Sequence, residues 1–155
     1  EIGVNKSLPR IIYPGQVIIL KKGSRQMSFS GIGGNYSTRG EKGCVEKLAI
    51  EMLENIPSNK LDVLLVHESP LDVEPRIAEK SGALKVLREI ERIMPKYVFA
   101  GHVGAYEKQT TANGIRIYRL PDVLHGYGLL NLSDNKISFN FKRTYHFVNR
   151  LDRKY

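Results

Sequence analysis

The sequence has little cysteine and no long apolar run, and each absence excludes a class of protein. Its only cysteine, Cys44, has no internal partner for a disulfide, which favours a reducing compartment and hence a cytoplasmic protein. No apolar stretch reaches the length that spans a bilayer, and the first residues lack the pattern of a signal peptide. Because repeats and low-complexity segments are also absent, we expect a globular protein without a membrane partner.

What is present is an ordinary globular composition with an excess of positive charge. The 155 residues are 41% hydrophobic and 26% charged, which is enough for one domain with a buried core. The net charge is +8, and basic proteins attract phosphate-bearing ligands and nucleic acids. The excess is spread along the chain and is densest over residues 142–154. A solvated basic tail and a phosphate-rich partner, nucleic acid included, are both open interpretations.

The middle of the chain has the pattern of a strand–helix–strand unit. Two apolar runs, residues 61–66 and 97–100, are typical of buried strands. Between them, apolar residues recur at helical intervals: Ala83, Val86, Leu87, Ile90, Ile93 and Met94. Pro95 ends this helix. We therefore predict two parallel strands joined by a right-handed crossover, in a sheet covered on both faces.

The segments before this unit indicate short strands, turns and a helix. Residues 1–30 are predicted to form short strands with turns at Pro14-Gly15 and at residues 21–23. An apolar stripe over residues 45–56 predicts a helix, and Thr38 and Glu41 have the spacing of a capping box before it.

The segments after Gly104 change to an antiparallel pattern. Asn113-Gly114 lies between strand-like flanks and predicts a hairpin. Residues 127–132 and 137–141 are predicted as two further strands. Together with the central unit, these segments predict a single mixed α/β domain over residues 1–155.

Each strand of the central unit is followed by a histidine. His67 comes directly after the first strand, and His102 follows the second strand after Gly101. Because ligands gather at the carboxyl ends of parallel strands, the two imidazoles are expected at one binding edge, and metal binding is the first hypothesis. A hydrogen-bonded structural role is the alternative for either histidine taken alone. Glu68 and Glu107 are either additional oxygen ligands or solvated carboxylates.

Three further residues are predicted to contact a substrate. Asn35 and Tyr36 follow the glycine-rich residues 31–34, whose spacing fits neither the dinucleotide fingerprint nor the P-loop. That segment is either an active-site loop or a plain connection. His125 precedes a Gly-Tyr-Gly turn and is expected on a loop near the metal.

The histidine segments resemble those of a known family. His67-Glu-Ser-Pro, preceded by Asp-Val-Leu-Leu-Val, is similar to the histidine motif of calcineurin-like metallophosphoesterases. Residues 95–104, Pro-Lys-Tyr-Val-Phe-Ala-Gly-His-Val-Gly, resemble the family's following segment, which ends in Gly-His-x-His. Residues 30–34 and 125–130 resemble further loops and strands of the family, and these segments follow one another in the family's order along most of the chain.

The resemblance implies a partial four-layer α/β/β/α sandwich with mixed parallel and antiparallel strands. It also implies a hydrolase that cleaves phosphomonoesters or phosphodiesters through metal-activated hydroxide. Two divalent ions, typically manganese, iron, zinc or magnesium, would clamp the phosphoryl group in the intact enzyme. On this resemblance, His67 and His102 both ligate the second metal.

The chain departs from the family pattern in two places. The family's Asp-x-His, Gly-Asp and Gly-Asn-His motifs do not occur in residues 1–155, and Gly104 replaces the last histidine of Gly-His-x-His. We therefore expect an incomplete domain with no catalytic residue of its own, inactive by itself and completed by a missing N-terminal segment or a second polypeptide. The alternative is a degenerate, non-catalytic member of the fold that binds a protein or a nucleic acid.

Overall fold

The computed structural model describes residues 13–33, 47–72, 82–101, 105–122, 125–133 and 136–143. Within these ranges the helices are α1 (Lys47–Glu54) and α2 (Ala83–Ile93). The strands are β1 (Ile18–Lys22), β2 (Arg25–Ile32), β3 (Val63–Val66), β4 (Tyr97–Ala100), β5 (Glu107–Thr110), β6 (Arg116–Arg119), β7 (Gly126–Ser133) and β8 (Lys136–Arg143). Neither of these helices is long and apolar enough to cross a membrane.

Six of the strands form one mixed sheet in the order β1-β2-β3-β4-β6-β5. The inner strands β2, β3, β4 and β6 are parallel, and β1 and β5 are antiparallel edge strands. The predicted parallel pairing of the two histidine strands is confirmed. The antiparallel prediction for the later strands holds for β5 with β6, but β6 is parallel to β4. Because Ile117 of β6 is fully buried and β5 is polar, β6 takes the inner position and β5 the edge.

The two helices pack on one face of this sheet. Ile50 and Leu53 of α1 and Val86, Ile90 and Ile93 of α2 are buried in a core with the sheet residues that face them. The helix α2 ends at Ile93, as Pro95 predicts. Met94 takes a left-handed conformation with φ 53°, and its N–H donates to the carbonyl of Ile90 at 3.0 Å. Assigning Met94 to the apolar face was wrong: this end cap turns its side chain outward, where it is 49% exposed.

The hairpin of β7 and β8 packs on the opposite face. The ring of Phe139 lies 4.9 Å from the rings of both Phe99 and Tyr118, and the Tyr97 hydroxyl donates to the carbonyl of Ile137 at 2.6 Å. The described residues therefore form three layers: helices, the six-stranded sheet and the two-stranded sheet. The mixed α/β class is confirmed, and a four-layer sandwich stays a prediction.

The turn at Pro14-Gly15 is also confirmed. Gly15 has φ +74°, and its N–H donates to the carbonyl of Gly31 at 2.8 Å. A Cβ at this position would lie 2.2 Å from Cβ of Met52, so the close approach of the turn to α1 requires glycine. The predicted capping box of Thr38 and Glu41 lies outside the described residues.

Candidate functional site

The strand ends that carry the predicted histidines lie side by side. The strand β3 ends at Val66, and His67 follows it with an exposed side chain. The N–H of Gly101, which follows β4, donates to the carbonyl of His67 at 2.9 Å. A Cβ on Gly101 would lie only 3.1 Å from that carbonyl oxygen, so glycine permits the two strand ends to approach. His102 and Gly104, the next positions of interest, lie outside the described residues.

The chain turns sharply and becomes buried directly after His67. Glu68 is 2% exposed, and Ser69 has no exposed surface. The N–H of Asp72 donates to the carbonyl of Ser69 at 3.0 Å, and the N–H of Leu71 donates to the Ser69 hydroxyl at 3.3 Å. These bonds close a turn over residues 69–72, called the 69–72 turn below. An exposed histidine is thus followed directly by a turn whose first residues are buried.

Side chains from β5 and β6 fix the 69–72 turn. The Ser69 hydroxyl donates to Oε1 of Gln109, and Nε2 of the same amide donates to Oδ1 of Asp72 at 2.6 Å. The other oxygen of Asp72 lies 3.1 Å from Nε of Arg119, whose Nη1 pairs with Glu107. These five residues form what we call the Gln109 network. Glu107, one of the two carboxylates considered as a ligand, is therefore paired with an arginine.

Nothing in the sequence singled out Gln109 or Arg119. Both lie in short strands with no motif around them, and Gln109 is 40 residues from Ser69 along the chain. Their link to the turn exists because β6 pairs with β4 and carries β5 beside it. The sequence provided only a weak indication, because a glutamine in a polar strand is usually exposed to solvent.

His125 follows the carboxyl end of the next parallel strand. The N–H of Leu120, just after β6, donates to the carbonyl of Ala100, so β6 ends at the same edge as β4. Nδ1 of His125 lies 2.7 Å from Oδ1 of Asp122, and the imidazole is 47% exposed. A carboxylate on one ring nitrogen fixes the orientation of the imidazole. The residue is accessible to a ligand, and its substrate role stays a prediction.

The described residues do not by themselves form a complete metal site. Among them, no group of three or more histidine, cysteine, aspartate or glutamate side chains is placed to hold an ion. His67 fits a divalent transition metal as an imidazole ligand, but tight sites use three or four protein ligands. Asn35 and Tyr36, the other predicted substrate contacts, lie outside the described residues. Of the two histidines predicted as metal ligands, the described residues include only His67.

A second polar cluster lies at the amino ends of the central strands β3 and β4. The N–H of Ser28 donates to Oδ2 of Asp62 at 2.8 Å, and the N–H of Asp62 donates to the Ser28 hydroxyl at 2.9 Å. Nζ of Lys96 lies 2.6 Å from the other carboxylate oxygen. Burial alone would raise the pKa of Asp62, but the hydrogen bonds from Lys96 and Ser28 outweigh it and hold that pKa below its ordinary value. A cavity of about 300 Å³ opens beside this cluster.

The basic C-terminal residues are only partly described. Lys142 and Arg143 are exposed at the end of β8, and residues 144–155 lie outside the described ranges. A nucleic-acid partner therefore stays a prediction.

No protein-family model matches the sequence, and the comparison with curated proteins finds no match. Function is therefore inferred from the residues of this chain.

Proposed function

We propose that this chain is the C-terminal portion of a calcineurin-like, metal-dependent phosphoesterase with a four-layer α/β/β/α sandwich. The observation that carries the proposal is the hydrogen bond from Gly101 to the carbonyl of His67 at 2.9 Å. It joins the ends of two parallel central strands, each followed by a histidine segment that resembles a metal motif of that family. Ligands bind at such carboxyl edges because the loops there diverge and leave a crevice.

In this proposal His67 and His102 hold one divalent ion of manganese, iron, zinc or magnesium. When bound there, such an ion would supply Lewis-acid chemistry, polarising a phosphoryl oxygen and lowering the pKa of a coordinated water. His67 suits this role because it is exposed at the strand end, while the three residues that follow it are buried and anchor the chain there. Asn35, Tyr36 and His125 contact the phosphoester substrate. The remaining ligands and the catalytic residues come from an N-terminal segment or a second polypeptide.

The donor chemistry supports weak metal binding by the isolated chain and little or no catalysis. Two imidazoles are fewer than the ligands of a tight site, and glycine at position 104 supplies none. The single cysteine supports a cytoplasmic location for the protein.

The proposal is tested by titrating Mn²⁺ into the chain and following paramagnetic broadening of the histidine imidazole signals. We expect broadening of His67 and His102 together. His67→Ala should weaken binding at least about tenfold, which corresponds to about 1.4 kcal/mol. His125→Ala is the matched control, since it removes an exposed imidazole without removing a proposed ligand, and it should leave the Mn²⁺ affinity unchanged. Equal affinities for the wild type and His67→Ala would contradict the metal assignment.

Hydrolysis of a simple aryl phosphate with Mn²⁺ tests the incompleteness of the site. The isolated chain should show no turnover above that of His67→Ala. Robust turnover that disappears in His67→Ala would mean that the chain holds a complete site. The proposal that the chain is only the C-terminal portion of the enzyme would then be wrong.

A non-catalytic scaffold of the same fold is the second candidate. Gly104 in place of a ligand favours it, and so does the pairing of Glu107 and Asp72 with Arg119, which engages two carboxylates near the edge. Gly104→His in the intact protein separates the two candidates. A large gain in metal occupancy and hydrolysis supports a damaged enzyme, and no gain supports a scaffold.

A further inference from the structure

We propose that Gln109, on the edge strand β5, is a positioning residue for His67. It holds the 69–72 turn in one conformation and thereby fixes the direction in which the neighbouring imidazole leaves the strand end. The hairpin of β5 and β6 is thus part of the site. The expected change in Mn²⁺ affinity rests on the proposed function, whereas the expected changes in the turn and in the His67 rotamer do not.

The first support is the chemistry of the bridge. The amide of Gln109 accepts from the Ser69 hydroxyl and donates to Asp72 at 2.6 Å, so it meets one residue at each end of the turn. A carboxylate could accept from Ser69 but could not donate to Asp72, and a lysine could donate but not accept. Ser69 is fully buried, so its hydroxyl depends on such protein partners.

The second support is that Asp72 is held from another side as well. Nε of Arg119 lies 3.1 Å from Oδ2 of Asp72, while Nη1 of the same guanidinium pairs with Glu107 on β5. Gln109 stands opposite Ile117 in the β5–β6 register, and Glu107 stands opposite Arg119. Because residues two apart in a strand share a face, Gln109 and Glu107 lie on the same face of β5. Gln109 bonds to the turn directly, and Glu107 acts on it through Arg119.

The third support is the distance along the chain to the histidine. Ser69 is two residues after His67, and the carbonyl of His67 is already fixed by the N–H of Gly101. On the N-terminal side of the imidazole the backbone is restrained by the pairing of Val66 with Ala100. On the C-terminal side it is restrained by the His67 carbonyl bond and, two residues later, by the Gln109 network. Releasing the network loosens the C-terminal side only.

The experiment compares wild type, Gln109→Ala, Gln109→Glu and Lys108→Ala. Lys108 is the matched control because it is exposed on the same strand and stands opposite Tyr118, on the other face. Hydrogen-exchange protection of the Asp72 amide reports the turn, and that of the Val98 amide reports the central sheet. The side-chain couplings of His67 report its rotamer, and Mn²⁺ broadening reports metal affinity.

In Gln109→Ala we expect protection of the Asp72 amide to fall at least about tenfold, with that of Val98 unchanged. The reason is that the two side-chain hydrogen bonds from Gln109 to the turn are lost. His67 should change from one dominant rotamer to averaging, and Mn²⁺ affinity should fall about tenfold. Gln109→Glu keeps the acceptor for Ser69 but sets a carboxylate against Asp72. Its turn should regain order as the pH falls and the carboxyl binds a proton, a rescue that Gln109→Ala cannot show.

Two results would overturn the proposal. One is unchanged Asp72 protection in Gln109→Ala, and the other is a looser turn with the His67 rotamer and the Mn²⁺ affinity of the wild type. If the wild type binds no Mn²⁺ at all, the proposed function fails, and the His67 couplings decide the positioning role alone.

Discussion

The two ends of the central strands carry similar polar groups arranged for different purposes. At the amino end, Asp62 is bonded to the backbone and hydroxyl of Ser28 and to Lys96, and its side chain is only 16% exposed. At the carboxyl end, Asp72 accepts from Gln109 on the edge strand β5 and forms an ion pair with Arg119 on the neighbouring strand β6. Each end therefore uses an aspartate to fix neighbouring segments.

The difference lies in what each aspartate fixes. Asp62 joins β2 to the start of β3 directly, so its bonds are part of the sheet itself. Asp72 secures a turn outside the strands and leaves His67 exposed beside it. Core strands open only with the whole fold, whereas a turn outside the strands can open locally at a lower free energy. Bonds that hold such a turn can keep a neighbouring side chain in the direction that a site needs. This contrast predicts which substitutions unfold the protein and which disturb only the site.

The largest effect on the free energy of unfolding is expected from Asp62→Ala. It removes the acceptor of the Ser28 N–H and the partner of Lys96, and we expect a loss of about 2–3 kcal/mol because a half-buried donor is left without a partner. Urea unfolding measures the change. Mn²⁺ affinity at His67, measured well below the unfolding midpoint, should stay that of the wild type. A loss below about 0.5 kcal/mol would show that the bonds of Asp62 do not stabilise the sheet.

A smaller global effect is expected from Arg119→Met, which keeps much of the apolar stem and removes the guanidinium. Glu107 is 56% exposed, so its ion pair adds little, and we expect a loss of about 1 kcal/mol. Exchange protection in the 69–72 turn should fall by a larger factor than global stability does. A uniform loss of protection across the sheet would place Arg119 with Asp62 as a residue that supports the whole fold.

The smallest effect is expected from the titration of Asp62, because a protonated carboxyl still accepts a bond from Ser28. Since folding lowers the pKa of Asp62, its contribution to stability is fully present above the unfolded-state pKa of about 3.9. That contribution is lost as the pH falls from this value through the lower folded-state pKa. Urea unfolding of wild type and Asp62→Asn between neutral and acid pH checks this prediction.

The Asp62→Asn variant serves as the control because asparagine does not titrate in this range. The difference in unfolding free energy between the two proteins should be largest near neutral pH and should shrink as the pH falls. A constant difference would mean that Asp62 keeps an unshifted pKa on folding.

Much of the fold could be predicted from local patterns. The helix α2 ends before Pro95, and the turn at Gly15 lies where Pro14-Gly15 indicated it. The strand β4 has the predicted bounds, and β3 begins two residues later than predicted. Met94 was misplaced because the periodicity continues past Ile93, whereas its backbone takes a left-handed cap. Periodicity reports which residues are apolar, but an end cap depends on backbone geometry.

The candidate site divides in the same way. The sequence shows that His67 and His102 each follow an apolar run. Because such runs form parallel strands, their ends are expected at the same end of the sheet. The Gln109 network does not, because neither a lone glutamine nor a lone arginine has a local pattern that predicts its partner. Pairing of β6 with β4, instead of with β5 alone, is what brings these side chains to the turn.

The sequence by itself therefore determined most of the elements and the mixed α/β class, because these depend on neighbours within a few positions. The parallel pairing of the histidine strands could also be expected, because a strand–helix–strand order almost always forms a parallel crossover. Only the tertiary structure decided which strand lies inside the sheet, which carboxylates are paired with Arg119, and how the 69–72 turn is held. The bonds of Gln109 to the turn join residues 37 and 40 positions apart, and such contacts form only when the strands of the sheet have assembled. The candidate site depends on both: the sequence puts His67 after a strand, and the tertiary structure fixes the turn that follows it.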